Sequence, residues 1–488
     1  MILSEVCRSG TSSPFVLCMP IWLFLSLATT FAASTASGDL GLADVARASL
    51  DSNLDLLSRR QGLEAERQSI DIARSELLPS LGVGARGQIL EDDRSDSERG
   101  NNTQESILLA AELNQVLYDE SSWAGLGIQK FIYEGKGHEL QSFQLSLVGE
   151  VATAFLDLDL ARTVLAIEEK NRDLTLQNRS TSKSRIAAGW SSDRELLRWD
   201  VELASNDSDV RAAKVGALQS AFELNRVRNL PPEDPVEIAT ATIREYGFVY
   251  AREDVERALP DPQMDQRIRE FMVRVGIRRS PDLAAIDSSI SALDRQLKSD
   301  TRAFWVPTFT AAAGVDHLAT DTDGDDGNVK ETEYYVKGVV TFPLFSGGAK
   351  LANYRQARDA LKSLRTSRRA AAQALDQAIR SSVARASGSF ENIGYARRGL
   401  DAAKRNFDLV DASFKLGVAS ILDLLDAQAQ LLGAELALSR ATYAFLVDVI
   451  SVQREINFYA FLEEPVDVDH MVTELERTLA HDPELDRR

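Results

Sequence analysis

Apolar residues recur at alternating steps of three and four along the C-terminal part of the chain. They run Leu375, Ile379, Val383, Ala386, Phe390, Ile393, then Leu400, Ala403, Phe407, Val410, Phe414. This is the seam of an amphipathic helix that packs on a partner. After Gly417 a second seam begins, Leu424, Ala427, Leu431, Ala434, Leu438, Ala441 and Phe445, whose Leu/Ala alternation allows close approach. A glycine just past a helix end supplies the left-handed cap conformation, so an antiparallel helical hairpin turning at Gly417 is predicted. Its first arm, from about Lys350 to Lys415, would be roughly 100 Å long at 1.5 Å per residue. A compact globule has no use for such a helix. A less regular counterpart is predicted from about Ser122 to Ala187, turning at Gly189 and returning from Ser191 to Asn229.

Four segments show period two instead. Leu81, Val83, Ala85 and Ile89 alternate with small or polar residues, as do Ile107, Leu109, Ala111 and Leu113. Phe309, Ala311, Ala313 and Val315 repeat the pattern, followed by Val336, Gly338, Val340 and Phe342. Each pair is joined by a charged loop, one at 91–102 and the other at 319–330. Long strands with one apolar face and polar loops at one end fit hairpins of an outer-membrane barrel. Four strands cannot close a barrel, and open strand edges are excluded from lipid, so several chains would have to share one.

These pieces repeat. Pro79 aligns with Pro307, Leu113 with Val340 and Gly189 with Gly417, an offset of about 228. The best reading is a tandem duplication in which each copy runs helix, strand, strand, long helix, tight turn, helix. The expected division is a leader at 1–36, a first repeat at 37–230, a linker at 231–265, a second repeat at 266–456 and a C-terminal segment at 457–488. The last carries little periodicity and is expected to end in disorder.

The N-terminus has a short polar region with Arg8, an apolar run from Phe15, and small residues at Ala28 to Ala36. That is the layout of a secretory signal peptide cleaved after Ala32 or Ala36; an uncleaved anchor helix is the other reading. Both cysteines, Cys7 and Cys18, lie in that leader, so the mature chain would have no disulfide and no zinc-thiolate site. The 488 residues carry 55 Lys and Arg against 74 Asp and Glu, a net charge of −19. This acidity argues against a nucleic-acid surface, and a mean hydropathy of −0.19 excludes a polytopic helical membrane protein.

Other chemical signals are weak. Gly82-Val-Gly-Ala-Arg-Gly87 has dinucleotide-site spacing, but Glu91-Asp-Asp-Arg follows where such a site needs an apolar helix. The acidic run 321–327 resembles a calcium loop with its glycine misplaced and Thr332 in place of the final Glu. His138, His317, His470 and His481 lack ligand spacing. No cofactor, no metal site and no enzyme is expected.

The chain resembles the TolC-like outer-membrane efflux proteins of Gram-negative bacteria across essentially the whole mature sequence. The duplication carries the resemblance, together with Ser280-Pro-Asp-Leu283, Pro343-Leu-Phe-Ser-Gly-Gly348 and Gly417-Val-Ala-Ser-Ile-Leu-Asp-Leu-Leu-Asp-Ala-Gln428. It implies an α+β membrane protein. Tandem coiled-coil hairpins would form an α-barrel tunnel, and four strands per chain would complete a trimeric 12-stranded outer-membrane β-barrel. A homotrimer set in outer-membrane lipid is implied, docking at its tips on a periplasmic adaptor and an inner-membrane pump of RND or ABC type. The function would be passive conduction in tripartite efflux or type I secretion. A periplasmic adaptor or a soluble coiled-coil scaffold are the alternatives. By the same resemblance Asp423, Asp426 and, through the repeat, Glu195 would ring a cation-selective aperture. Gly189, Trp190, Gly417 and Val418 would contact the adaptor, though a Trp packed between hairpins is equally consistent. Ala419 stands where the family carries a clamp arginine, which leaves Arg194, Arg198 or Lys415 to hold the closed state.

Overall fold

The computed structural model describes residues 40–89, 105–189, 192–248, 262–321 and 331–480. The expected leader, almost all of both charged loops, and Trp190 lie outside these residues. Two helices open the described chain, α1 (Leu42–Ser52) and α2 (Leu54–Ser75), split at Asn53, whose side chain accepts the Leu56 N–H and caps α2. Strands β1 (Ser80–Ile89) and β2 (Glu105–Tyr118) follow, then the long helix α3 (Glu120–Ala187) and its return α4 (Asp193–Val227). The linker holds the single-turn α5 (Ile243–Tyr246). The second half contains α6 (Pro262–Arg279), α7 (Pro281–Arg302), β3 (Thr308–Asp321), β4 (Thr332–Thr341), α8 (Ala349–Lys415) and α9 (Ile421–Glu455). A last helix, α10 (Pro465–Ala480), ends it.

The duplication is visible in element lengths. Helices α2 and α7 have 22 residues each, α4 and α9 have 35 each, and α3 and α8 have 68 and 67. Caps repeat as well. Gly189 and Gly417 have φ of 77° and 80° at the lower turns, and Asn229 and Asn457 have φ of 55° and 56° after the return helices. Asparagine is among the few non-glycine residues that tolerate this region. In both copies the chain closes the same way, Leu230 N–H bonding Asn225 O and Phe458 N–H bonding Gln453 O, each at 2.9 Å.

All strands form one antiparallel sheet in the order β1-β2-β3-β4, with β1 and β4 at its edges. Leu81 pairs with Leu113, Leu113 with Ala313, and Ala313 with Val336. One face is therefore apolar, and it is bare: Val83 is 83% and Val336 85% exposed. The other face carries Arg86, Glu112, Asp316, Glu333, Tyr335 and Lys337. There Lys337 pairs with Glu112 at 2.8 Å, and Tyr335 lies across Gly314, where a Cβ would stand 2.5 Å from the ring. Gly82, Gly84 and Gly87 all belong to β1, a strand and not a phosphate turn. Among the described residues no helix is long and apolar enough to cross a membrane.

The strand-to-helix junction below β2 is held by charge. Asp119 caps α3, accepting the Ser122 N–H at 3.0 Å and the Thr308 hydroxyl at 2.9 Å. Glu120, 7% exposed, accepts from Tyr118 Oη at 2.7 Å, Arg295 at 2.8 Å and Arg302 at 3.2 Å.

The hydrophobic core sits at the midpoints of the long helices. Val151, Phe155 and Leu158 of α3 and Ile379, Val383 and Ala386 of α8 meet α1, α6, α9 and α10 there. Burying a side chain such as Phe155 fully stabilises by about 1.5–3 kcal/mol. The linker is sewn into this core: Leu40 N–H bonds Glu237 O, Ala239 N–H bonds Leu40 O, and Arg162 donates to Val236 O. Asp159, 4% exposed, accepts the Ala241 N–H at 2.6 Å and the Tyr443 hydroxyl at 2.7 Å.

One expectation changes and one is explained. The C-terminal segment is not featureless, because Met471, Val472 and Leu475 of α10 are buried. Their helical spacing was masked by the interleaved Asp467, Asp469, Glu474 and Glu476. The first long helix is less regular in hydrophobicity because its lower seam is polar: Glu168, Asn171, Thr175, Asn178 and Ser182 are all buried at heptad spacing. Burial and the neighbouring Asp209 push the Glu168 carboxyl up, with Arg440 opposing.

Candidate functional site at the hairpin turns

Helix α8 ends in a Schellman turn, with Gly417 N–H bonded to Phe414 O at 3.0 Å and Val418 N–H to Ser413 O at 2.9 Å. The return helix starts in a capping box. Asp423 Oδ2 accepts from Ser420 N–H at 2.9 Å and Ser420 Oγ at 2.7 Å, while Ser420 Oγ accepts the Asp423 N–H at 3.3 Å. The hydrogen bonds from the Ser420 side chain and backbone hold the Asp423 carboxyl below the usual range. Asp426, one turn on, is exposed and accepts from Gln430 Nε2 at 2.7 Å. Both carboxylates thus lie on one exposed face at the foot of α9, as their spacing predicts.

Glu195 occupies the position of Asp423 in the first copy but is placed differently. Ser192, the equivalent of Ser420, makes no side-chain cap. Glu195 turns inward, and Ser182 Oγ donates to it at 2.6 Å while accepting the Trp199 indole N–H at 2.8 Å. Glu195 is half-buried, against the exposed Asp423 and Asp426.

Gly189, Gly417 and Val418 are exposed, Val418 by 80%, beside Leu416 at 81%. The buried tryptophan of this region is Trp199, packed with Phe407, Phe414, Leu424 and Ala427 where the hairpins meet. Sequence reading singled out Trp190 and passed over Trp199, which lies one heptad before Asn206 on a seam that is polar.

Below the core, polar side chains link the hairpins. Gln428 of α9 reaches Asn171 Oδ1 at 2.9 Å, Thr175 Oγ1 at 2.7 Å and Asn178 Nδ2 at 3.1 Å. Lys170 pairs with Glu435 at 2.6 Å. Nearest the turns, Arg185 donates to Phe414 O at 2.6 Å and lies 4.4 Å over the Phe414 ring. Lys415 instead pairs within its own helix, with Asp411 at 2.6 Å. The link is Arg185, which no motif marked. We expect Arg185→Ala to weaken this end by about 1.5–3 kcal/mol, the range for a hydrogen bond to a charged group. Faster hydrogen exchange at the Leu416–Val418 amides, with the core amides unchanged, is the reading that checks it.

Among the described residues no group of three His, Cys, Asp or Glu side chains could hold a metal.

Comparison with known proteins gives a consistent picture. The profile of the family described as Outer membrane efflux protein matches residues 45–228 and 276–456, one segment in each repeat. Outer membrane protein TolC of Escherichia coli is 23% identical over 445 residues, covering 89% of this chain and 85% of that protein. The outer membrane efflux protein BepC of Brucella suis is 23% identical, covering 81% and 80%. Among solved structures, CusC superposes with a TM-score of 0.68 at 16% identity over 86% of this chain and 92% of its own. The Campylobacter jejuni CmeC outer membrane channel gives 0.68 at 14% identity over 91% and 90%. With both repeats matched by one profile, this chain belongs to the outer membrane efflux protein family.

Proposed function

We propose that the chain is the outer-membrane exit duct of a tripartite efflux or type I secretion system, conducting substrates without catalysing a reaction. The carrying observation is the open four-stranded sheet with a bare apolar face, set on helices roughly 100 Å long. An isolated sheet of this kind has two unpaired edges and an unsolvated face. A homotrimer in outer-membrane lipid satisfies both. A periplasmic adaptor or a soluble coiled-coil scaffold leaves the sheet without a purpose, and family membership speaks against each.

In this reading residues 1–36 direct export and are removed. The repeats 37–230 and 266–456 build tunnel and barrel, and 231–265 with 457–488 belt the helices at mid-height. The exposed Gly189, Gly417 and Val418, with Leu416, receive a periplasmic adaptor that recruits an RND or ABC pump. Asp423 and Asp426 would become rings of three under the symmetry, an arrangement that favours cations. Glu195, bound to Ser182, contributes less.

Fractionation tests the assignment: recovery from outer membranes as a trimer supports it, and recovery from the soluble periplasm overturns it. For the aperture, Asp423→Asn with Asp426→Asn removes charge while keeping an acceptor for the capping box. The double variant is expected to lose several-fold in cation-over-anion permeability and in divalent block in planar bilayers. Unchanged selectivity removes both residues from the aperture.

A further inference from the structure

Below the core, α3 presents Glu168, Asn171, Thr175, Asn178 and Ser182 as one buried polar seam. Four of the five are answered. Asn171 and Thr175 each meet Asn206 and Gln428, Asn178 meets Gln428, and Ser182 meets Glu195 and Trp199. Glu168, at the upper end and 9% exposed, is different: its Oε2 is buried without a hydrogen-bond partner. A buried polar atom left unpaired is costly, and a buried charge more so. The second copy has no such group. At the offset that sets Gly189 on Gly417, the five matching positions are Ala396, Gly399, Ala403, Asn406 and Val410, none of them ionisable.

We infer that Glu168 is a proton-operated latch of the first hairpin: neutral, it lets the seam between α3, α4 and α9 close, and charged, it loosens that seam. A neutral carboxyl costs little to keep there, whereas a carboxylate would lack both water and a donor. The surrounding charges widen the difference. Asp209 on α4 repels a carboxylate at Glu168, and Glu202 of the same helix faces Asp209 as well. Only Arg440 on α9 attracts it, from an exposed position. The other charges along these helices are engaged elsewhere: Glu169 with Lys214 at 3.2 Å, Lys170 with Glu435 at 2.6 Å, and Arg172 with Asp207 at 2.5 Å.

The sign follows from the environment. Burial first, and Asp209 second, raise the Glu168 carboxyl above its ordinary range. Its contribution to the seam is therefore fully present below the unfolded value near about pH 4.3 and is lost as pH rises through the raised folded value. Acid closes the seam. At higher pH the carboxylate reaches water by parting α4 from α3, and the Asn171–Asn206 bond, the next one down, opens first. The response belongs to the first hairpin alone, so the turns at Gly189 and Gly417 differ in how firmly they are held as pH changes. The latch needs only the fold and stands independently of the duct reading.

Hydrogen exchange of the full chain tests the latch, read by mass spectrometry at about pH 4.5 and about pH 8, on either side of the range in which a carboxyl raised by burial titrates. After normalisation to the intrinsic rate at each pH, segments 165–182 and 199–213 are expected to be several-fold better protected at the lower pH. Their counterparts 393–410 and 427–441 should not change. Glu168→Gln keeps the size and removes the charge, so it should show the acid-like protection at both pH values. Asp209→Asn, at an exposed position, should move the parent's transition to lower pH without abolishing it. The latch is overturned by a parent with no pH dependence in these segments, by a Glu168→Gln variant that keeps it, by an Asp209→Asn variant whose transition stays in place, or by an equal response in the second hairpin.

Discussion

Glu120→Ala is expected to destabilise the barrel-to-tunnel junction by about 3 kcal/mol, within the range for breaking a buried ion pair by removing one partner. The carboxylate is 7% exposed and is the common acceptor of Tyr118, Arg295 and Arg302. Its loss leaves two guanidinium groups side by side where β2 becomes α3. Glu120→Gln keeps an acceptor and should cost less. Burial alone would raise this carboxyl, but the hydrogen bonds from Tyr118 and Arg295 and the positive charge beside them outweigh it, so the folded pKa is lowered. The stabilisation is therefore fully present above the unfolded value near about pH 4.3 and is lost as pH falls through the folded pKa. Thermal melts of the purified protein at neutral pH and at pH 3.5–4 check both statements. A variant that melts with the parent at neutral pH would show that the arginines find other partners.

Asp159→Ala should be at least as damaging, by about 3–4 kcal/mol, because two buried donors lose one acceptor and each unsatisfied group costs about 1–3 kcal/mol. Those donors, the Ala241 N–H and the Tyr443 hydroxyl, belong to the linker and to α9. Tyr443 keeps Thr163 Oγ1 at 3.2 Å as a weaker partner, so the linker should suffer first. Limited proteolysis reads this directly: new cleavage between Pro231 and Gly247 is expected before the long helices are cut. Simultaneous loss of all protection would mean the linker and the core unfold as one unit.

The long helices, the four strands and the duplication were legible because each rests on a period, 3.5 or 2, sustained over many residues. The reading failed where the seam changed chemistry. Asn171, Thr175, Asn178 and Ser182 keep the heptad spacing but answer Asn206, Gln428 and Trp199 through hydrogen bonds, which a hydrophobic pattern cannot register. Helix α10 was lost among acids for a related reason, its apolar stripe being short and narrow. At the turns, Ser420-x-x-Asp423 matches the capping-box pattern, so the structural duty of Asp423 was readable beside its proposed electrostatic one. That Glu195 turns toward Ser182 was not, because Ser182 is 13 residues away on the opposite arm. Arg185 illustrates the limit: its partner is a backbone carbonyl 229 positions along the chain, and sequence says nothing about where such an acceptor will be.

The buried core grips each long helix at its middle and nowhere else so broadly. Below its last residues on the long helices, Leu158 of α3 and Ile393 of α8, about 24–31 residues run to each turn, an arm of roughly 36–46 Å at 1.5 Å per residue. The core is then a fulcrum and the hairpin a lever. A tilt of about 5° at the core carries the turn by roughly 3–4 Å, the scale of hinge and shear motions in packed helices. A side chain could therefore alter the width of the opening from half the tunnel's length away, by changing the angle at which Phe155 or Val383 is seated.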